Sequence, residues 1–323
     1  MKKSTLFKPV KSFYRIVKFK TQSFLFARLI KSSNAWQLFD KAGIAGFGVN
    51  LLRLYFPVYY DKKAARQSFS SQLQKHITPI ITNNNKPLGY NNSIVNQLNE
   101  NIRLPVKEVD GLMPYLDNYY FGIMDAAVLF AIMQNHNPQH IVEIGSGIST
   151  RYMRYFKNQL GLNTKITCID PMPRVDIKNV ADTVITQPFE NVISNDIPDL
   201  KSGDIIFLDG SHYVFQGNDT ATFFFKLLPS LPAGVIIHIH DIYLPFDYSE
   251  SVESQLWSEQ YLLAALMQGG FNGFETLYPA YYMSQTNNEI KQALTEANNK
   301  LDHSDFSLEI NHKEGYSFWF STI

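Results

Sequence analysis

The chain is expected to fold as an α/β protein: a doubly wound, mostly parallel sheet with an N-terminal, mainly helical extension. Three observations predict it. Short apolar runs between His140 and Ile239 alternate with helix-length segments. Those runs lack the polar alternation of a half-exposed strand, so both faces of the sheet are expected to be covered. The first run leads straight into two glycines and then a helix, the turn on which nucleotide-type folds seat a ligand.

Residues 1–110 show helical patterning without strand–helix alternation, and they are read as a separate extension to a domain of residues 111–323. From Met1 to Phe39 there is no acidic residue, while Lys2, Lys3, Lys8, Lys11, Arg15, Lys18, Lys20, Arg28 and Lys31 are all basic. Such a stretch is read first as a solvated tail, and second as a peripheral contact with an anionic membrane. The apolar stretch Ala42 to Tyr60 is interrupted by Arg53 and Pro57, too broken for a membrane span. No segment reads as a secretory signal, so the expected location is cytoplasmic. Ile81 to Asn92, crowded with Asn, Pro and Gly, reads as a loop.

Asp125 to Gln134 reads as a buried helix ended by Asn137-Pro138. The apolar runs follow: His140–Ile144, Lys165–Ile169, Thr183–Thr186, Asp204–Leu208 and Gly234–Ile239. Ser254 to Gln268 reads as a helix closed by Gly269-Gly270. Phe274–Met283 and Gly315–Thr322 read as two aromatic-rich strands with a helix near Asn287–Lys300 between them, completing seven strands with an antiparallel last pair.

Composition bounds the function. With 45% hydrophobic and 18% charged residues the chain can bury a real core. A formal net charge of zero gives no reason to expect nucleic acid as a partner. The single cysteine, Cys168, excludes an intrachain disulfide and sits in an apolar run as a small buried side chain.

The sharpest motif is Glu143-Ile-Gly-Ser-Gly147, continuing to Thr150. Gly145, Ser146 and Gly147 form a turn that lets the backbone approach a ligand closely, and Asp170, ending the second strand, is placed to accept both ribose hydroxyls. NAD and S-adenosylmethionine (SAM) share these needs. Thr150 stands where a dinucleotide fingerprint wants Gly or Ala, and Glu143 would repel a pyrophosphate but suit an ammonium or sulfonium. SAM is therefore the expected cofactor, with Glu143, Gly145, Ser146, Gly147 and Asp170 as its binding residues.

Two later strands end in polar clusters, Asp209-Gly-Ser-His212 and His240-Asp241. In a doubly wound sheet these open on the same rim as the glycine turn. Asp209 and Asp241, with His240 as a third candidate ligand, suit Mg²⁺ or Mn²⁺. His212 is the expected base, accepting the proton of an acceptor hydroxyl. His238, two residues before His240, is expected to be buried.

At these residues the sequence resembles the class I SAM-dependent methyltransferases, and within them the macrocin-type sugar O-methyltransferases. Ile242-Tyr-Leu-Pro-Phe-Asp247 and Trp257-Ser-Glu-Gln-Tyr-Leu-Leu263 fit that subgroup, and the resemblance covers about Tyr119 to Ile323. It implies a seven-stranded sheet, SAM as methyl donor, a divalent metal at Asp209 and His212 as base. The acidic pair of the metal-dependent members falls at His240-Asp241, so one carboxylate is replaced by an imidazole. The expected activity is O-methylation of a sugar, glycan or small metabolite. The alternatives from other classes are a catalytically silent SAM-fold binding protein and an NAD-dependent oxidoreductase.

Overall fold

The computed structural model describes residues 62–83, 86–173, 176–192, 196–249, 252, 255–301 and 314–323. The basic stretch Met1–Phe39 and the apolar stretch Ala42–Tyr60 lie outside the described residues. Everything below belongs to one compact unit, Asp61–Glu253 with Trp257–Ile323; the chain's other unit is Met1–Tyr60 with Ser254–Leu256.

Seven strands form one sheet: β1 His140–Ile144, β2 Lys165–Ile169, β3 Thr183–Ile185, β4 Ile205–Leu208, β5 Ile236–Ile239, β6 Phe274–Pro279 and β7 Phe318–Thr322. Their order is β3-β2-β1-β4-β5-β7-β6. β7 alone runs antiparallel, pairing β5 on one side and β6 on the other. This is the expected doubly wound, mostly parallel architecture. The strand order reverses at β1 and β4, neighbours joined in parallel register from Ile141 opposite Ile205 to Ile144 opposite Leu208.

Helices cover both faces: α1 Lys62–Ile81, α2 Asn91–Asn101, α3 Ile123–His136, α4 Ile148–Leu160, α5 Glu259–Gln268, α6 Ala280–Thr286 and α7 Asn288–Lys300. The alternation of strand side chains divides the core. Ile141, Ile166, Cys168, Ile205, Phe207 and Ile236 join the cluster under α2, α3, α4 and α7. Val142, Ile144, Ile206, Leu208, Ile237 and Ile239 join the cluster under α1 and α5. Each such fully buried aliphatic side chain contributes about 1.5–3 kcal/mol. The antiparallel edge is closed by Trp319 and Phe320, both fully buried.

Several expectations are corrected. Leu73, Ile77 and Ile81 of α1 and Ile94 and Leu98 of α2 are core residues, so these two helices of the N-terminal extension pack with the sheet. The expected loop Ile81–Asn92 holds a helical turn, Lys86–Gly89, and Asn91 already begins α2. The strand Phe274–Met283 stops at Pro279, and α6 begins at once with Ala280. The helix foreseen from Ser254 starts at Glu259. Asn137 ends α3 as expected, in the left-handed conformation with φ 47°. Among the described residues no helix is long and apolar enough to cross a membrane.

Candidate active site

The sheet pairing itself assembles the site. The residues just past β2, β1, β4 and β5 stand side by side on one rim, and the ladders reach one residue into them. Asp170 N–H donates to the Ile185 carbonyl at 3.1 Å, Gly145 N–H to Ile169 at 3.0 Å, Asp209 N–H to Ile144 at 2.9 Å and His240 N–H to Leu208 at 3.0 Å. Where the ladders stop, the polar clusters begin.

Gly145 has a left-handed φ of 86°, and a Cβ there would lie 1.9 Å from the carbonyl oxygen of Asp209. Only glycine lets the β1 turn lie against the β4 turn. Gly147 opens α4, and a Cβ on it would meet nothing within 4 Å, so the backbone there is bare to an incoming ligand. Ser146 Oγ donates to Asp170 Oδ2 at 2.7 Å, while Asp170 Oδ1 accepts from Met172 N–H at 2.7 Å. Each of those carboxylate oxygens keeps a second lone pair for a ribose hydroxyl. These residues fit the nucleoside part of SAM.

Glu143 is placed differently from the expectation. It is fully buried beneath the turn, where it accepts hydrogen bonds from Ser149 Oγ at 2.5 Å and Thr150 Oγ1 at 2.6 Å, with Cys168 Sγ at 3.2 Å. Burial pushes its pKa up to about 7 against the pull of those hydrogen bonds. It holds the loop rather than facing a cofactor ammonium, because its position in β1 points it at the face that α4 covers. Thr150 is the other half of this clamp: its hydroxyl also accepts from Gly147 N–H at 3.0 Å. That is why a threonine stands where a dinucleotide site has a small residue.

On the acceptor side, Asp209, His212 and Asp241 converge, with one ligand atom from each lying within 4.8 Å of the others. His212 Nε2 stands 3.5 Å from both Asp209 Oδ1 and Asp241 Oδ2, while Nδ1 is 2.5 Å from Glu259 Oε1. Trp257 lies beside the ring at 4.8 Å between centroids. His212 and Asp241 both have left-handed backbones, φ 63° and 56°. Such conformations cost about 1–2 kcal/mol each in a non-glycine residue and gather at functional sites. Burial alone would depress the His212 pKa, but Glu259, Asp241 and Asp209 overcome it and raise it to about 10.

His240, expected as a metal ligand, is not in this group. It is 3% exposed, its ring lies 5.3 Å from that of Phe121, and its Nε2 pairs with the Tyr120 carbonyl at 3.1 Å. The imidazole that stands between the two aspartates is that of His212, which its left-handed turn swings back toward them. His238 is fully buried, its ring stacked on Phe207.

Two contributors carried no role in the sequence reading. Glu259 is 1% exposed in the first turn of α5, and Ser258 and Glu259 N–H groups both donate to the His212 carbonyl, at 2.9 and 3.3 Å. Asp219 fixes the other half of the turn, accepting from Ser211 N–H at 2.7 Å and Ser211 Oγ at 2.6 Å. The signal for Glu259 was present: an acid preceded by Ser in an otherwise apolar helix. Its partner 47 residues away was not.

No curated protein matches the chain in sequence. Among solved structures it resembles cmcI solved with Mg-SAM, at 17% identity over 47% of this chain and 64% of that one, TM-score 0.33; the chain thus spans under two thirds of that protein's length. It also resembles the plantazolicin methyltransferase BpumL in complex with SAH, at 15% identity over 61% and 84%, TM-score 0.37. A Podospora anserina methyltransferase bound to SAH aligns at 16% identity over 68% and 92%, TM-score 0.35. Residues 142–242 match a family model described as a methyltransferase domain, a span that takes in the glycine turn, Asp170, Asp209, His212 and Asp241.

Proposed function

We propose that the chain is a SAM-dependent O-methyltransferase acting on a hydroxyl of a sugar, glycan or small metabolite. One observation carries this: the glycine turn lies directly against Asp209, so a cofactor held there neighbours the Asp209–His212–Asp241 cluster. SAM, when bound, supplies an electrophilic methyl group. The chain's work is then to align the acceptor oxygen and remove its proton. Glu259 holds Nδ1 of His212, so that Nε2 is the nitrogen presented to the acceptor. Gly145 and the Ser146–Asp170 pair set the cofactor's position relative to that nitrogen.

A divalent ion is the second element of the reading. The Asp209 and Asp241 carboxylates are a suitable oxygen donor pair, and Mg²⁺ or Mn²⁺ held by them would acidify an acceptor hydroxyl while Nε2 of His212 stays free to take its proton. The charge balance favours it. Without a cation, Asp209 and Asp241 help keep His212 protonated at neutral pH, and a protonated imidazole accepts nothing. A cation between the two aspartates offsets their share of that hold, while the larger share of Glu259 remains.

The test is transfer of labelled methyl from SAM to a panel of hydroxyl acceptors, with and without chelator. Transfer to oxygen is expected to fall at least a hundredfold in His212→Ala and to be lost with chelator but restored by Mn²⁺. Full turnover in His212→Ala removes the base, and turnover indifferent to chelator removes the metal.

A further inference from the structure

Exposed apolar side chains are ordinary when scattered and informative when gathered. Here they gather around the rim that carries the candidate active site. Val109, Leu112, Tyr119, Tyr120, Met172 and Phe215 are 47–78% exposed. Met172 donates its N–H to Asp170, just past β2. Phe215 lies three residues past His212, and its N–H donates to Asn218 Oδ1 at 3.3 Å while that of Val214 donates to Ser258 Oγ at 2.9 Å. The Tyr120 carbonyl meets His240, next to Asp241, and the Tyr119 ring stands 6.4 Å from that of Tyr120. Val109 and Leu112 follow Glu108, which pairs with Arg151 in the first turn of α4. The acids flanking Val109 are both engaged, Glu108 by that pair and Asp110 by the N–H groups of Leu112 and Met113.

We propose that this rim docks on an anionic bilayer, these side chains entering the interfacial layer and the candidate active site opening toward the lipid headgroups. Tyrosines suit that layer, because one end of the ring is apolar and the other wet. The six side chains stand on separate loops around a polar site. A fluid surface covers such a ring without matching its shape, whereas a protein partner has to be complementary to it. The sequence supplies the charge that an anionic surface attracts: nine basic residues and no acid in Met1–Phe39, interleaved with aromatic residues. Stable association takes two such signals, apolar insertion and basic attraction.

Flotation of the full chain with two kinds of vesicle tests the docking: phosphatidylcholine alone, and phosphatidylcholine with phosphatidylglycerol in equal parts. The wild type is expected to bind the anionic vesicles at least about tenfold more tightly than the neutral ones. Combining Val109→Ser, Leu112→Ser, Tyr119→Ser and Phe215→Ser should weaken anionic binding at least about tenfold. Phe225→Ser is the control. Phe225 is 72% exposed but lines a hollow with Ala233 and Ile323, at the end of the sheet away from the rim, and its loss should change nothing. If the fourfold variant melts below the working temperature, Tyr119→Ser with Phe215→Ser carries the comparison by the same criterion. Wild type that binds neither vesicle, or both equally, overturns the proposal, as does binding that Phe225→Ser weakens as much as the rim variant. A rim variant that keeps wild-type vesicle binding but handles a soluble acceptor less well gives these side chains to the acceptor and overturns the docking. Flotation uses neither cofactor nor acceptor, so its failure leaves the methyltransferase reading standing.

Discussion

Glu143 is an acid fully enclosed by a strand, a helix and a thiol, and its stability effect depends on pH in a definite direction. Its folded pKa of about 7 lies above the ordinary glutamate value of 4.5, so the native state binds the proton more tightly than the unfolded chain. The associated stability is fully present below pH 4.5 and is lost as pH rises through about 7. Denaturant unfolding between pH 5 and pH 8 should show this decline, up to about 3 kcal/mol, and Glu143→Gln should flatten it. An unchanged slope in the variant would mean the burial is relieved by some other route. The acid was legible in the sequence but its role was not. A charged residue beside a glycine turn reads as a ligand contact until α4 folds back and places the Ser149 and Thr150 hydroxyls on it. The same limit hid Glu259, whose partner is set by where α5 docks. It also misplaced His240, because a left-handed turn at His212 cannot be read from residue types that rarely adopt one.

At the scale of the element, the turn between β1 and α4 is the part of the site most completely written in the sequence. Strand, two glycines and helix appear in order, and the structure keeps their bounds, with β1 at His140–Ile144 and α4 beginning at Ile148. What the sequence did not show is that Gly145 is needed for a neighbouring strand as much as for a ligand. Gly145→Ala forces a Cβ to within 1.9 Å of the Asp209 carbonyl in a left-handed backbone. It should destabilise the fold by roughly 3 kcal/mol or more and shift the Asp209–His212 turn with it. Chemical denaturation measures the first effect. A Gly145→Ala protein of wild-type stability would show that the two turns are not in the contact described. Elements without such punctuation were harder to read. The end of β6 at Pro279 and the successive α, π and 3-10 turns from Asp219 to Ser230 are decided by packing, which an apolar run does not specify.

For the whole molecule, the strand order was legible to the extent that runs and connections imply it: five parallel strands, then a pair whose last member runs back between β5 and β6. That order brings four strand ends to one rim and makes the glycine turn, Asp170 and the Asp–His cluster neighbours. The N-terminal boundary was less legible, because α1 and α2 carry helical patterns without showing which sheet face they cover. The central claim is that this rim holds a sulfonium nucleoside rather than a dinucleotide. Thermal unfolding of the full chain in the presence of S-adenosylhomocysteine, set beside NAD⁺ at the same concentration, tests it most directly. The account predicts a melting temperature raised by several degrees with S-adenosylhomocysteine and unchanged with NAD⁺; a shift with NAD⁺ alone would contradict it.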